Sequence, residues 1–186
     1  MKNCLITLSF LVPFSISLLK AQLTMVPGYM ISAKGDTLKG EVKINPKKDI
    51  DNFSKVFFKD ASGVQKNYKP AKVKGYGFAN RHFVSITEKD ESMFCERLTE
   101  GAIILYKSAF EASSAGETTK ELIWYLFKEG DKKLTEVKET KFRKQIMEWM
   151  SGSAGLANDY EDGKTFNESV AIEVIKKYNS WKKENP

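Results

Sequence analysis

The chain has 186 residues, with 30 Lys and Arg against 24 Asp and Glu, a formal charge of +6 and 41% hydrophobic residues. That length suits a single compact domain with an ordinary core, and a positive surplus spread among so many acids lacks the clustered basic stripe of a nucleic-acid binder. His82 is the sole histidine, which removes every site that needs two, the HExxH zinc arrangement included, and Cys95 with His82 makes no ordinary structural zinc centre.

Residues 1–21 read as a secretory signal peptide. Lys2 supplies a short positive start, Leu5 to Leu19 is an uncharged and largely apolar run, and Ala21 offers a small residue at the cut. The run contains Pro13 and falls short of the ~20 apolar residues a span needs, so no membrane span is expected after cleavage. Gln22 stands where a lipoprotein needs Cys. Loss of Lys2 and Lys20 takes the formal charge from +6 to +4, and loss of Cys4 leaves Cys95 without a disulfide partner. The expectation is an exported, periplasmic or extracellular protein whose residues 22–186 form one β-rich domain with C-terminal helices over 138–186.

Gly28 to Ile44, GYMISAKGDTLKGEVKI, reads as a β-hairpin. Taking Gly35-Asp36 as a two-residue type II′ turn sets Ala33 against Leu38, Ile31 against Gly40 and Tyr29 against Val42 on an apolar face. Ser32 then meets Lys39, and Met30 meets Glu41, on the polar one. Asn45-Pro46 ends the pair. Further strands follow at Phe53 to Lys59, Val64 to Tyr68, Lys72 to Phe78, His82 to Ile86, Ser92 to Leu98, Ala102 to Lys107, Glu121 to Lys128 and Leu134 to Val137, separated by Gly, Asp and Asn turns. Gly75 and Gly77 mark a bulge or a close backbone approach, and Ala112 to Lys120 has the composition of a mobile loop.

From Thr140 the apolar period changes from two to about 3.6. Phe142, Ile146, Trp149 and Met150 share one helical face. Thr165 with Glu168 reads as a capping box for a second helix, striped by Phe166, Val170, Val174, Tyr178 and Trp181. The expected fold is α+β: an antiparallel β-meander of nine or ten strands, barrel- or sandwich-like, followed by a C-terminal pair of α-helices packed on the sheet. No strand–helix alternation precedes residue 138, which excludes a doubly wound nucleotide fold.

Short matches to catalytic motifs fail on their chemistry. Gly163-Lys164-Thr165 ends like a phosphate loop but has Asn158 at the leading glycine. The same stretch read as a calcium loop puts Tyr160 and Ser169 at ligand positions. Gly152-Ser153-Ala154-Gly155 follows a helix, not the strand a nucleophilic serine needs. Cys95 shares a strand face with Met93 and reads as packing. Paired carboxylates are harder to dismiss, because glycoside hydrolysis needs only two across a cleft; Glu88, Asp90, Glu91, Glu96, Glu100 and Glu111 are the candidates.

Aromatic residues provide the remaining candidate site. Tyr76, Phe78, Phe83, Trp124 and Tyr125 lie in central strands, and alternation turns some of them outward if only one sheet face is covered. Such a face suits a small ligand, a glycan, a lipid or an envelope protein; no cofactor and no metal are expected.

Gly28-Tyr29 with Gly35-Asp36-Thr37 and Lys39-Gly40, Tyr68-Lys69-Pro70 before Gly75-Tyr76, and Tyr178-Asn179 near the end carry a resemblance. The chain resembles exported Bacteroidetes proteins with a signal peptide and a GY-x(5)-GDT-x-KG hairpin. The resemblance implies export and a β-rich fold, and it brings no activity with it. The expected function is therefore a non-enzymatic envelope binding module, with a small carboxylate hydrolase of envelope or dietary polymers as the alternative.

Overall fold

A computed structural model describes residues 23–88, 90–114, 116–150, 152–153, 155–156 and 166–185. The expected leader, the stretch 158–163 and Thr165 lie outside the described residues. The elements are β1 (Thr24–Ser32), β2 (Thr37–Ile44), α1 (Asp51–Ser54), β3 (Val56–Asp60), β4 (Gln65–Tyr68), β5 (Val73–Phe78), β6 (Arg81–Glu88), β7 (Glu91–Arg97), β8 (Ile103–Ser114), β9 (Glu117–Lys128), β10 (Thr135–Glu136), α2 (Phe142–Trp149) and α3 (Glu168–Glu184). All ten strands form one antiparallel sheet in the order β10-β9-β8-β7-β6-β5-β1-β2-β3-β4. It is open, with β4 and β10 at its edges, so the meander neither closes into a barrel nor divides into a sandwich.

The first hairpin pairs its strands in a different register from the expected one. Ser32 N–H donates to the Asp36 carbonyl at 2.9 Å, and Gly35 N–H to the Ser32 carbonyl at 3.0 Å. The loop is therefore Ala33-Lys34-Gly35, with Gly35 at φ +104, the three-residue turn whose last residue takes the left-handed region. Tyr29 consequently faces Lys39, Met30 faces Leu38 and Val26 faces Val42. On β2 the inward residues are those expected, Gly40 and Val42. On β1 they are Val26, Gly28 and Met30 rather than Tyr29 and Ile31, because a shift by an odd number of positions turns one strand over.

Three other expectations change. Phe53 belongs to α1, not to a strand, and is buried. Ala112 to Ser114 and Glu117 to Lys120 are ladder rather than loop, with Ala112 opposite Thr119 and Ser114 opposite Glu117, so β8 and β9 form one hairpin of twelve residues a side. The cap of α3 is Asn167, whose side chain accepts from Val170 N–H at 3.1 Å, which places Glu168 first in the helix and free to reach elsewhere. The glycine expectation holds: the β1–β5 register shifts between Ile31 and Ser32, and a Cβ on Gly77 would stand 2.6 Å from the Tyr29 ring.

Residues paired across strands share a sheet face. One such row runs Leu38, Met30, Tyr76, Phe83, Glu96, Lys107, Trp124 across seven strands. Both cores lie on that face. The first gathers β1–β3 and β5–β7 around Phe53 of α1: the Tyr76 and Phe83 rings are parallel with centroids 4.7 Å apart, and Phe94 meets Tyr76 edge-on at 5.0 Å. The second packs Ile103, Leu105 and Leu126 against Phe142 and Ile146 of α2 and Val174, Ile175 and Tyr178 of α3. Asn179 fastens α3 to the sheet, accepting from Ile103 N–H at 2.9 Å and donating to the carbonyls of Glu100 at 2.8 Å and Ile103 at 2.7 Å.

Between the cores the row turns polar. Arg81 donates to Glu96 at 2.6 and 2.8 Å and to Asp49 at 2.5 Å. Lys107 stands 3.7 Å from Glu96 and 3.2 Å from Glu168, and Glu168 accepts from Trp124 Nε1 at 2.7 Å. Glu96 is only 7% exposed, and Arg81 and Lys107 give it the paired cations that a buried carboxylate requires.

Candidate functional site

The β7–β8 ladder runs through Glu96 opposite Lys107 and Arg97 opposite Tyr106, and Leu98 N–H continues it by donating to the Leu105 carbonyl at 2.8 Å. The Ser108 hydroxyl donates to the Phe94 carbonyl at 3.1 Å at the vertex. Beyond it the strands part: β7 stays with β6 to the Glu88–Glu91 turn, while β8 stays with β9 to the Ser114–Glu117 turn. A cleft of about 600 Å³ lies in the fork, within the ~300–1,000 Å³ range of ligand sites.

The floor is α1. Tyr76 Oη donates to the Asn52 carbonyl at 2.5 Å, Asn52 donates to Asp49 at 2.9 Å, and Arg81 grips Asp49 in turn. Those bonds hold Ile50 and Phe53 under the gap from the core side. The walls come from alternate residues of three strands: Met93 of β7, Phe110 of β8, and Ile123 and Tyr125 of β9. By register these share the sheet face opposite the two cores, so the cleft opens on that side. Phe110 is 42% exposed.

Acids stand at the rim: Asp51 on α1, Glu91 on β7 and Glu111 on β8. Lys48 bridges two of them, 3.1 Å from Glu111 and 3.5 Å from Asp51, and the Glu111 hydrogen bond, then the charges of Asp51 and Glu111, raise its pKa. Burial pushes the Asp49 carboxyl up, but Arg81's hydrogen bonds and charge outweigh it and hold the group below its usual value. Burial raises the Tyr125 phenol to about 12.

The five aromatic candidates do not form one surface. Tyr76, Phe78 and Phe83 are buried in the first core, where the Arg81 guanidinium lies 5.6 Å from the Phe78 ring centroid and 4.9 Å from that of Phe83. Trp124 packs in the second core against Phe166, 4.9 Å away. Tyr125 alone lies in the cleft wall. Among the acids, Glu91 and Glu111 face the cleft, Glu96 belongs to the interior ion pairs, and Glu100 pairs with Arg97 at 2.5 Å. Burial lifts the Cys95 thiol to about 12 against the opposing Ser108 hydrogen bond, which makes it a poor nucleophile. His82 Nδ1 is engaged by the Tyr29 hydroxyl at 2.7 Å. Ser153 donates to the Met150 carbonyl at 2.8 Å and closes α2.

Sequence reasoning missed Met93, Phe110 and Ile123 as a set. Alternation through Ser108, Phe110 and Ala112 carried the signal, continuing the β8 pattern past Lys107. Among the described residues, no group of three or more His, Cys, Asp or Glu is placed to hold a metal ion, and no helix is long and apolar enough to cross a membrane. No protein-family model, curated protein or solved structure matches the chain.

Proposed function

We propose that the chain is an exported, non-enzymatic binding module whose ligand or partner seats in the fork between β7 and β8. The observation that carries this reading is the cleft itself: apolar on floor and walls, acidic at the rim, and placed where two hairpins leave one edge of the sheet unfilled. Apolar contact supplies affinity there, and the few polar groups set orientation. The positive start and apolar run of residues 2–19 support export. Thermal shift of the purified protein against glycans, lipids and envelope proteins tests the site, with Phe110→Asp as control. A ligand whose stabilisation is abolished by that exposed substitution places binding in the cleft; one whose stabilisation survives it refutes the assignment.

A second reading rests on Glu91 of β7 and Glu111 of β8, which both line the cleft. Glycoside hydrolysis needs two carboxylates roughly 5 to 9 Å apart across such a cleft. Release of reducing ends from envelope or dietary glycans, abolished by Glu91→Gln and by Glu111→Gln, would replace the binding reading with this one.

A further inference from the structure

We propose that the occupant of the cleft is an extended polypeptide segment, added as a strand to the free edge of β8 and carrying basic side chains among apolar ones. This rests on the cleft being the binding site. Backbone direction supports strand addition. The Leu105 carbonyl accepts from Leu98 N–H, and Lys107 pairs with Glu96, so odd-numbered residues of β8 aim their backbone groups toward the β7 side. Past Lys107 the same edge passes along Ala109, Glu111 and Ser113, and among the described residues no strand pairs with it there. A strand edge beside an apolar cleft is the usual template for main-chain recognition.

The surroundings specify the side chains. A strand lying in the fork would alternate between the floor, where Ile50 and Phe53 wait, and the open side, flanked by Met93 and Phe110. Apolar residues suit both directions near the vertex. Toward the mouth the partner meets Asp51, Glu91 and Glu111, with Lys48 the bridging cation, so lysine or arginine on the incoming strand complements the rim and acidic residues are repelled. The Glu111 side chain is 47% exposed, which makes it the residue to invert.

The test uses a capped heptapeptide of alternating valine and lysine, an equivalent of valine and glutamate, and a valine–lysine peptide N-methylated at alternate residues. Binding is read by chemical-shift and amide-exchange changes in the full mature chain. The valine–lysine peptide is expected to bind, to slow exchange at Ala109, Glu111 and Ser113, and to weaken about tenfold in Glu111→Lys, which then favours the glutamate peptide. The N-methylated peptide is expected not to bind. Equal binding of the methylated peptide, with shifts at Phe110 and Ile123, overturns strand addition while keeping the cleft as a binding site. Perturbations confined to other surfaces, or no binding at about 1 mM, overturn the proposal, and the Phe110→Asp experiment decides separately whether the cleft binds another ligand.

Discussion

The two cores share one face of one sheet yet are built by different means. The β1–β7 half stacks aromatic rings beneath short hairpins and is closed by the four-residue α1. The β8–β10 half is mainly aliphatic on its strands and depends on α2 and α3, whose docking joins residues as distant in sequence as Ile103 and Asn179. Local hairpins need little loop closure, whereas contacts of that separation carry its full entropic cost. The two halves also have separate reporters. All three tryptophans, Trp124, Trp149 and Trp181, belong to the second, while the sole described thiol, Cys95, is in β7 of the first.

The largest way to break this division is Tyr76→Ala. It removes a ring stacked on Phe83 and leaves the Asn52 carbonyl without its donor, at a cost of about 4 kcal/mol. Cys95 should become alkylated at denaturant concentrations where tryptophan emission is still native; simultaneous loss of both signals would mean that the halves unfold as one.

Glu96→Ala deletes the carboxylate shared by Arg81 and Lys107, and because Arg81 keeps some solvent the expected loss is about 3 kcal/mol, the low end for a broken buried pair. This variant should pull the thiol and tryptophan transitions apart, measured in one guanidinium titration. Asn179→Ala removes three hydrogen bonds that tie α3 to Glu100 and to Ile103 at the start of β8, for about 2 kcal/mol. It should shift the tryptophan transition and leave thiol protection where it was. Asn167→Ala, which takes away the cap of α3, should act in the same direction by about 1 kcal/mol.

The smallest effect is one of pH. Asp49 has a folded pKa below its ordinary 3.8, so the unfolded chain takes up the proton first as pH falls. Its contribution is present above the ordinary value and lost as pH drops through the folded one. Urea midpoints measured from about pH 5 to about pH 2 should therefore converge between the parent and Asp49→Asn at the acid end; a constant gap would assign the shift no role in stability.

Period-two alternation and turn residues made most of the strand order legible, since each hairpin in β5–β7 is closed by residues near in sequence. Register was less so. Whether Gly35 opens a two-residue turn or ends a three-residue one depends on one backbone angle, and both readings leave Gly40 and Val42 inward, so β2 gave no means of choosing. Met30, the lone apolar residue on the expected polar face, was the clue that β1 had been turned over. Ser113, Ser114, Gly116 and Thr118 look like linker by composition, yet a cross-strand ladder tolerates them once strong strands on both sides set the pairing. The cleft was hidden for a related reason: it forms where a ladder stops, and the end of a pairing leaves no mark on the periodicity of either strand.

The β8–β9 hairpin has a further consequence for anyone altering the molecule. Past Ala109 on β8, and before Tyr125 on β9, none of its described side chains is fully enclosed, so its outer turns can be lengthened, nicked or exchanged for a foreign epitope while its root stays clamped by Asn179 and Glu168. Evolution has the same liberty: descendants of this chain can revise what the arm touches without renegotiating how the rest of the protein folds.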